Sequence, residues 1–145
     1  MLLSETEKNR LKNKYGNWAL ITGASSGIGL ELAKQLAYCG FNLVLASRNM
    51  AELEKAKKLL LLTHSVTVVL VPADVSTQEG INSITNATQG LGIGLFIASA
   101  GYGTSGEFIK ADIATEQNML RVNCEGLLIL THYYARQFAT QKEGA

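Results

Sequence analysis

Short runs of Val, Ile, Leu and Ala alternate along the chain with longer stretches in which apolar residues recur every three or four positions. The runs are continuously apolar, as parallel strands covered on both faces should be, and the longer stretches carry the helical period. This pattern predicts strands at Trp18–Thr22, Phe41–Ala46, Val66–Val71 and Leu95–Ala100. It predicts helices at Ser4–Lys14, Gly27–Cys39, Met50–Leu62, Thr77–Thr88 and Ile113–Thr140, the last interrupted near its start. Ser4 with Glu7 three residues on has the form of a capping box. Gly16 and Gly40 stand where the first two helices should stop. In the second helix Ile28, Leu32, Leu36 and Cys39 share one face. Strand and helix alternating in this way build βαβ units on a parallel sheet, the doubly wound α/β class.

The 145 residues make one domain's worth of chain. At that length roughly 68–70% of the extended surface is buried, enough for a core without disulfides or structural metal. Thirteen Lys and Arg against twelve Asp and Glu leave a net charge of +1. Such a balance gives no broad cationic field, so neither nucleic acid nor an anionic membrane is expected as the main partner. Cys39 and Cys124 lie in helical patterns, read as free buried thiols, and no metal centre is expected. The first fourteen residues mix acids with bases and do not match a secretory or transit signal. The most apolar stretch, Leu59–Val71, is broken by Thr63, His64, Ser65 and Thr67 and falls short of the roughly 20 residues a bilayer span needs. A soluble, cytoplasmic protein is expected. His64 and His132 have no acid or thiol at triad or ligand spacing, so helix-end or surface positions are expected for both.

The strongest chemical signal is Thr22-Gly23-Ala24-Ser25-Ser26-Gly27-Ile28-Gly29, where the first strand turns into the second helix. Gly23 allows a tight turn, Gly27 lets backbone approach a pyrophosphate, and Gly29 lets the helix pack closely. The helix N-terminus adds unpaired N–H groups and a partial positive charge. The glycine trio by itself also suits an ordinary βα turn. In this octapeptide the sequence resembles the short-chain dehydrogenase/reductase family, whose classical members carry Thr-Gly-x-x-x-Gly-x-Gly here. From Trp18 onward nearly the whole chain resembles the amino-terminal half of such an enzyme.

The resemblance implies a Rossmann-type sheet, an oxidoreductase acting on a carbonyl/alcohol pair of a small molecule, and a homo-oligomer at full length. It places Gly23, Ser25, Ser26, Gly27, Ile28 and Gly29 around a dinucleotide. An NAD site usually has an acid about 20 residues beyond the glycine loop. In Leu45-Ala46-Ser47-Arg48-Asn49 that acid is replaced by Ser47, and Arg48 follows. A guanidinium suits the 2′-phosphate, so NADP is expected over NAD, with the Ser25 hydroxyl joining it as in relatives. The other reading of Arg48 is a solvated helix-start residue paired with Glu52. The resemblance makes Asp74 an acceptor for the adenine amino group and sets Val75 against the ring; otherwise Asp74 caps the next turn or helix.

Ile97-Ala98-Ser99-Ala100-Gly101 falls where the family has Asn-Asn-Ala-Gly. Ala100 and Gly101 keep the close approach to the cofactor, but both asparagines are gone and only Ser99 can supply a side-chain bond for sheet bracing. Asn123 matches the family's catalytic Asn, which belongs to a proton relay; the bland reading is an exposed polar residue in mid-helix. Tyr102 borders the substrate pocket by analogy, or simply packs. The family's Tyr with Lys four residues later has no counterpart: Ala19, Asn42, Gly106, Gln137 and Phe138 follow the five tyrosines at that spacing. The preceding catalytic Ser has none either.

The 145 residues are therefore expected to form a single partial Rossmann domain, with 1–16 as a helical extension. It is expected to bind NADP(H) and to be inactive alone, and its Leu95–Ala100 strand to lie as a bare, aggregation-prone sheet edge. Two rival readings stand beside this one. A non-catalytic dinucleotide-binding module would be completed by a partner chain. An S-adenosylmethionine-dependent methyltransferase shares the glycine-rich loop, but would want an acid near Ser47.

Overall fold

The computed structural model describes residues 3–142 and 144–145. Its strands β1 (Trp18–Thr22), β2 (Asn42–Ser47), β3 (Val68–Pro72) and β4 (Ile93–Ala98) form one parallel sheet in the order β3-β2-β1-β4. Helices α1 (Glu5–Tyr15), α2 (Gly27–Tyr38), α3 (Met50–Leu61), α4 (Gln78–Ala87), α5 (Ile113–Leu120) and α6 (Leu127–Gln141) surround it. A 3-10 turn at Phe108–Lys110 precedes α5, and a π-turn, Arg121–Gly126, joins α5 to α6. The doubly wound α/β class follows from the apolar pattern as read.

Side chains on the two faces of the sheet make two cores. Ala19, Ile21, Leu43 and Leu45 pack with Ala33, Ala37, Leu53 and Leu60 of α2 and α3. Leu20, Val44 and Val71 pack on the other face with Ile84, Val122, Leu130 and Tyr134. Alternate residues of β1 and β2 thus feed opposite cores, which is why these strands carry no polar alternation. Ser4 caps α1 through the full capping box, and Gly40 follows α2 with φ +82°.

Several expectations are corrected. The buried stripe of α2 is Gly29, Ala33 and Ala37; Ile28 is 76% exposed, while Leu32 and Leu36 are only half-buried. Small residues bring this helix onto the sheet closer than a leucine stripe could. Cys39 is buried, and burial raises its thiol pKa, but Cys124 is exposed. β4 starts two residues earlier than read because Gly94 is a bulge, with Trp18 opposite Ile93 and Ala19 opposite Leu95. A Cβ at Gly94 would overlap the carbonyl of Tyr15, so the end of α1 sits directly on this strand. On the open side of β4, Ala145 donates its N–H to Gly94 O at 2.9 Å and accepts from Phe96 N–H at 2.8 Å. Ala145 is therefore hydrogen-bonded to β4 on that side, and the strand is not wholly bare. β3 closes on the exposed Pro72, tolerable because β3 is the other edge. His132 is exposed, and His64, just after α3, is half-buried with its ring edge-on to Tyr38 at 6.4 Å.

Tyr134, 2% exposed, shares a 2.7 Å hydroxyl–hydroxyl hydrogen bond with Thr88. Burial pushes its pKa up from 10.0 to about 12, the Thr88 bond opposing in part. The folded chain therefore holds this proton where the unfolded chain releases it. The stabilisation is full below pH 10 and is lost as pH rises toward 12. Urea denaturation should show wild type losing about 1 kcal/mol more than Tyr134→Phe between pH 8 and pH 11. Parallel losses in the two proteins would contradict this assignment.

Candidate functional site

A cleft of about 360 Å³ opens outside the carboxyl ends of all four strands. Its floor is the β1–α2 turn. Gly23 has φ +66°, and a Cβ there would lie 2.6 Å from the carbonyl of Ser99. A Cβ on Gly29 would overlap the carbonyl of Gly23, so the first turn of α2 rests directly on the loop backbone. Gly27, with φ +55°, is different: nothing lies within 4 Å of where its Cβ would point. Space is kept open at this position, and the need for glycine is conformational.

Ser26 takes the N-cap position of α2 without a side-chain cap. By contrast Ser4, Asn49, Thr77 and Asp112 each accept a backbone N–H at the start of their helices. The N–H groups of the first turn of α2, with their share of the helix dipole, consequently have no side-chain acceptor from the N-cap, and Ser26, Gly27 and Ile28 line the cleft. Gly23, Ser25, Ser26, Gly27, Ile28, Arg48, Asp74, Val75, Ala100 and Gly101 all line it. Among the expected cofactor residues only Gly29 does not; it lies buried beneath the loop.

At the end of β2, Ser47 Oγ lies 2.9 Å from Ser25 Oγ. Register explains the pairing, because β1 and β2 run side by side and deliver their carboxyl ends to one spot. Arg48 is exposed at the cleft rim and makes no salt bridge among the described residues. Glu52, the partner considered for it, pairs with Lys55 at 2.8 Å, and Asn49 caps α3.

Asp74 Oδ1 accepts from Ser76 N–H at 2.9 Å and from Ser76 Oγ at 2.7 Å. The turn reading is thus observed, the N-cap of α4 is Thr77, and Asp74 still lines the cleft. A Cβ on Gly126 would overlap Val75 O, so the π-turn lies against this wall.

Ser99 makes no side-chain hydrogen bond among the described residues. Bracing comes instead from Thr22, whose Oγ1 accepts the Ala100 N–H at 3.3 Å. Asn123 is half-buried, not an exposed helix residue. Its Oδ1 accepts the Tyr102 N–H at 3.1 Å, and its Nδ2 donates to the Tyr102 carbonyl at 2.7 Å. The Tyr102 hydroxyl donates to Thr115 O at 3.3 Å and accepts from Asn118 Nδ2 at 3.0 Å. Thr104 Oγ1 donates to Glu116 at 3.0 Å. The loop after β4 is thereby fixed to α5 and the π-turn by side chains from both. Neither Asn118 nor the Ser25–Ser47 pair carries a local sequence signal. Thr22, a polar residue ending an apolar strand, does.

A parallel sheet of this order, with a glycine-rich first turn and a crevice at its topological switch, is the architecture of dinucleotide-binding α/β proteins. The chain belongs to the short chain dehydrogenase family, whose model matches residues 17–145. A very-long-chain 3-oxoacyl-CoA reductase-like protein of Arabidopsis thaliana is 34% identical over 139 residues, 94% of this chain and 44% of its own. A solved 7beta-hydroxysteroid dehydrogenase superposes with TM-score 0.87 at 30% identity, covering 92% of this chain and 53% of that one. A short-chain dehydrogenase from Sphingobium yanoikuyae, solved with NADPH, gives TM-score 0.83 at 29% identity over 88% and 50% of the two chains. The chain spans about half the length of the curated relatives it matches. The family binds nicotinamide dinucleotides, and its members named here are oxidoreductases.

Asn123→Ala removes both bonds to Tyr102 and leaves a half-buried amide and carbonyl without partners. It should lower stability by about 1–3 kcal/mol. Hydrogen exchange of the Tyr102 amide should accelerate well beyond that of β1 amides. An unchanged Tyr102 exchange rate would show that Asn123 does not hold the loop.

Proposed function

We propose that this chain is the NADP(H)-binding part of a short-chain oxidoreductase acting on a carbonyl/alcohol pair. The observation that carries the cofactor choice is the end of β2. There Arg48 stands at the cleft rim without an acidic partner, beside the Ser25–Ser47 hydroxyl pair, where an NAD site would present a carboxylate. A 2′-phosphate suits a free guanidinium and two hydroxyls; a ribose 2′-hydroxyl would want the missing acid.

The residues present fit the group. Gly27 keeps backbone open where a side chain would intrude, and the N–H groups of Ser26, Gly27 and Ile28 serve the pyrophosphate. Gly23 and Gly29 hold that turn in place from below. Asp74 retains an oxygen for the adenine amino group beside Val75, while Ala100 and Gly101 leave room along the end of β4. When bound, the nicotinamide supplies or accepts the hydride. Asn123 acts here through the wall it fixes, as a positioning residue, and belongs to a proton relay completed by groups outside these residues. Tyr102 faces the cleft on the substrate side, but its hydroxyl is already engaged with α5.

Calorimetric titration tests the cofactor choice. Arg48→Ala should weaken NADPH about 10- to 100-fold and leave NADH nearly unchanged, as expected for losing a charge-assisted contact. Ser47→Asp should weaken NADPH and strengthen NADH. Equal losses for both coenzymes would contradict the proposal. In a turnover assay with NADPH and a panel of carbonyl compounds, the 145-residue chain should be silent. Turnover would place the proton donor among the residues described here.

A further inference from the structure

The most apolar stretch of the sequence begins at Leu59, and the fold buries only part of it. Leu53, Ala56 and Leu60 form the core stripe of α3, while Leu59 and Leu61 are nearly half exposed and Leu62 is 80% exposed. Isolated exposed leucines are ordinary; three within four residues at one helix end are a patch. Lys55, Lys57 and Lys58 stand in the turn of α3 just before it, and no Asp or Glu occurs between positions 55 and 64. Lys55 is paired with Glu52, but Lys57 and Lys58 make no salt bridge among the described residues. His64, two residues beyond Leu62, stands edge-on to the half-buried ring of Tyr38.

We propose that this end of α3 docks on an anionic lipid bilayer surface. Exposed leucines adjoining lysines have the composition of helices that lie in a membrane interface, where lysine stems cover apolar surface while their ammonium groups reach the headgroups. A protein partner fits less well. Stable protein interfaces take roughly 800 Å² from each side and are depleted in lysine, whereas this patch is the tip of one helix. The near-zero net charge is no obstacle, because polybasic attraction acts within a Debye length and depends on the local cluster. Topology makes the surface usable. α3 starts just after β2 and ends just before β3, so its tip lies at the amino-terminal ends of the strands, opposite the cleft. Docking there leaves the cleft open to water. One short tip gives weak, reversible association.

Co-sedimentation with phosphatidylcholine vesicles, with and without phosphatidylserine, tests this on the 145-residue chain. The chain should pellet with the phosphatidylserine vesicles and be released by high salt. Leu61→Ser with Leu62→Ser, and separately Lys57→Gln with Lys58→Gln, should each weaken that binding roughly tenfold with the melting temperature unchanged. Absence of phosphatidylserine-dependent binding, or variants that bind like wild type, would overturn the proposal. So would a dimer in vesicle-free sedimentation velocity that Leu61→Ser with Leu62→Ser abolishes, because the patch would then belong to a second copy.

Discussion

Backbone touches backbone at the β1–α2 turn, and the rest of the site depends on that contact. Gly23 lies against the carbonyl of Ser99, just after β4, and Gly29 against the carbonyl of Gly23. With no side chain at either position, the strand, the loop and the first turn of α2 stack at van der Waals distance. Any β-carbon would push the helix off the sheet. The uncapped N-terminus of α2 is thus held at a fixed place above the carboxyl ends of β1 and β4, where unpaired N–H groups can meet an anion. The cleft inherits its shape from this contact, and its rim is lined by what the neighbouring strands bring to it, Ser47 and Arg48 from the end of β2 among them.

The other walls are fixed by fewer, longer-range bonds. Thr22 ties β1 to the chain after β4, and the Asn123 side chain closes a two-bond clamp on Tyr102. That clamp explains a polar residue in an otherwise helical run. The backbone widens to a π-turn there, a feature often found at functional sites, and Gly126 lets this segment press on Val75. The cleft lies at the carboxyl ends of the strands. The docking patch on α3 occupies the opposite end, so the two surfaces do not compete.

Most of this was legible in the sequence because it rests on local chemistry. Continuous apolar runs mark strands buried on both faces, and the octapeptide from Thr22 to Gly29 marks the turn. Misreadings arose where packing, not pattern, decides. Ile28 looked like core because it continues a helical apolar period, yet the sheet is met by Gly29, Ala33 and Ala37. The apolar run starts the strand at Leu95, whereas β4 begins at Ile93, and Gly94 is a bulge that lets Tyr15 approach. Cys124 looked buried on the same periodicity, which the π-turn breaks by rotating the residues that follow. Contacts between distant positions, such as Ser25 with Ser47 or Asn118 with Tyr102, leave no local trace; only the sheet order and the loop's path bring them together.

The most direct test of the helix N-terminus as the phosphate seat is amide NMR during titration with NADPH. The largest shifts should fall on the Ser26, Gly27 and Ile28 N–H groups, with smaller ones at Arg48 and none at the tip of α3. Saturable binding that leaves those three amides unmoved, or no binding at all, would contradict it.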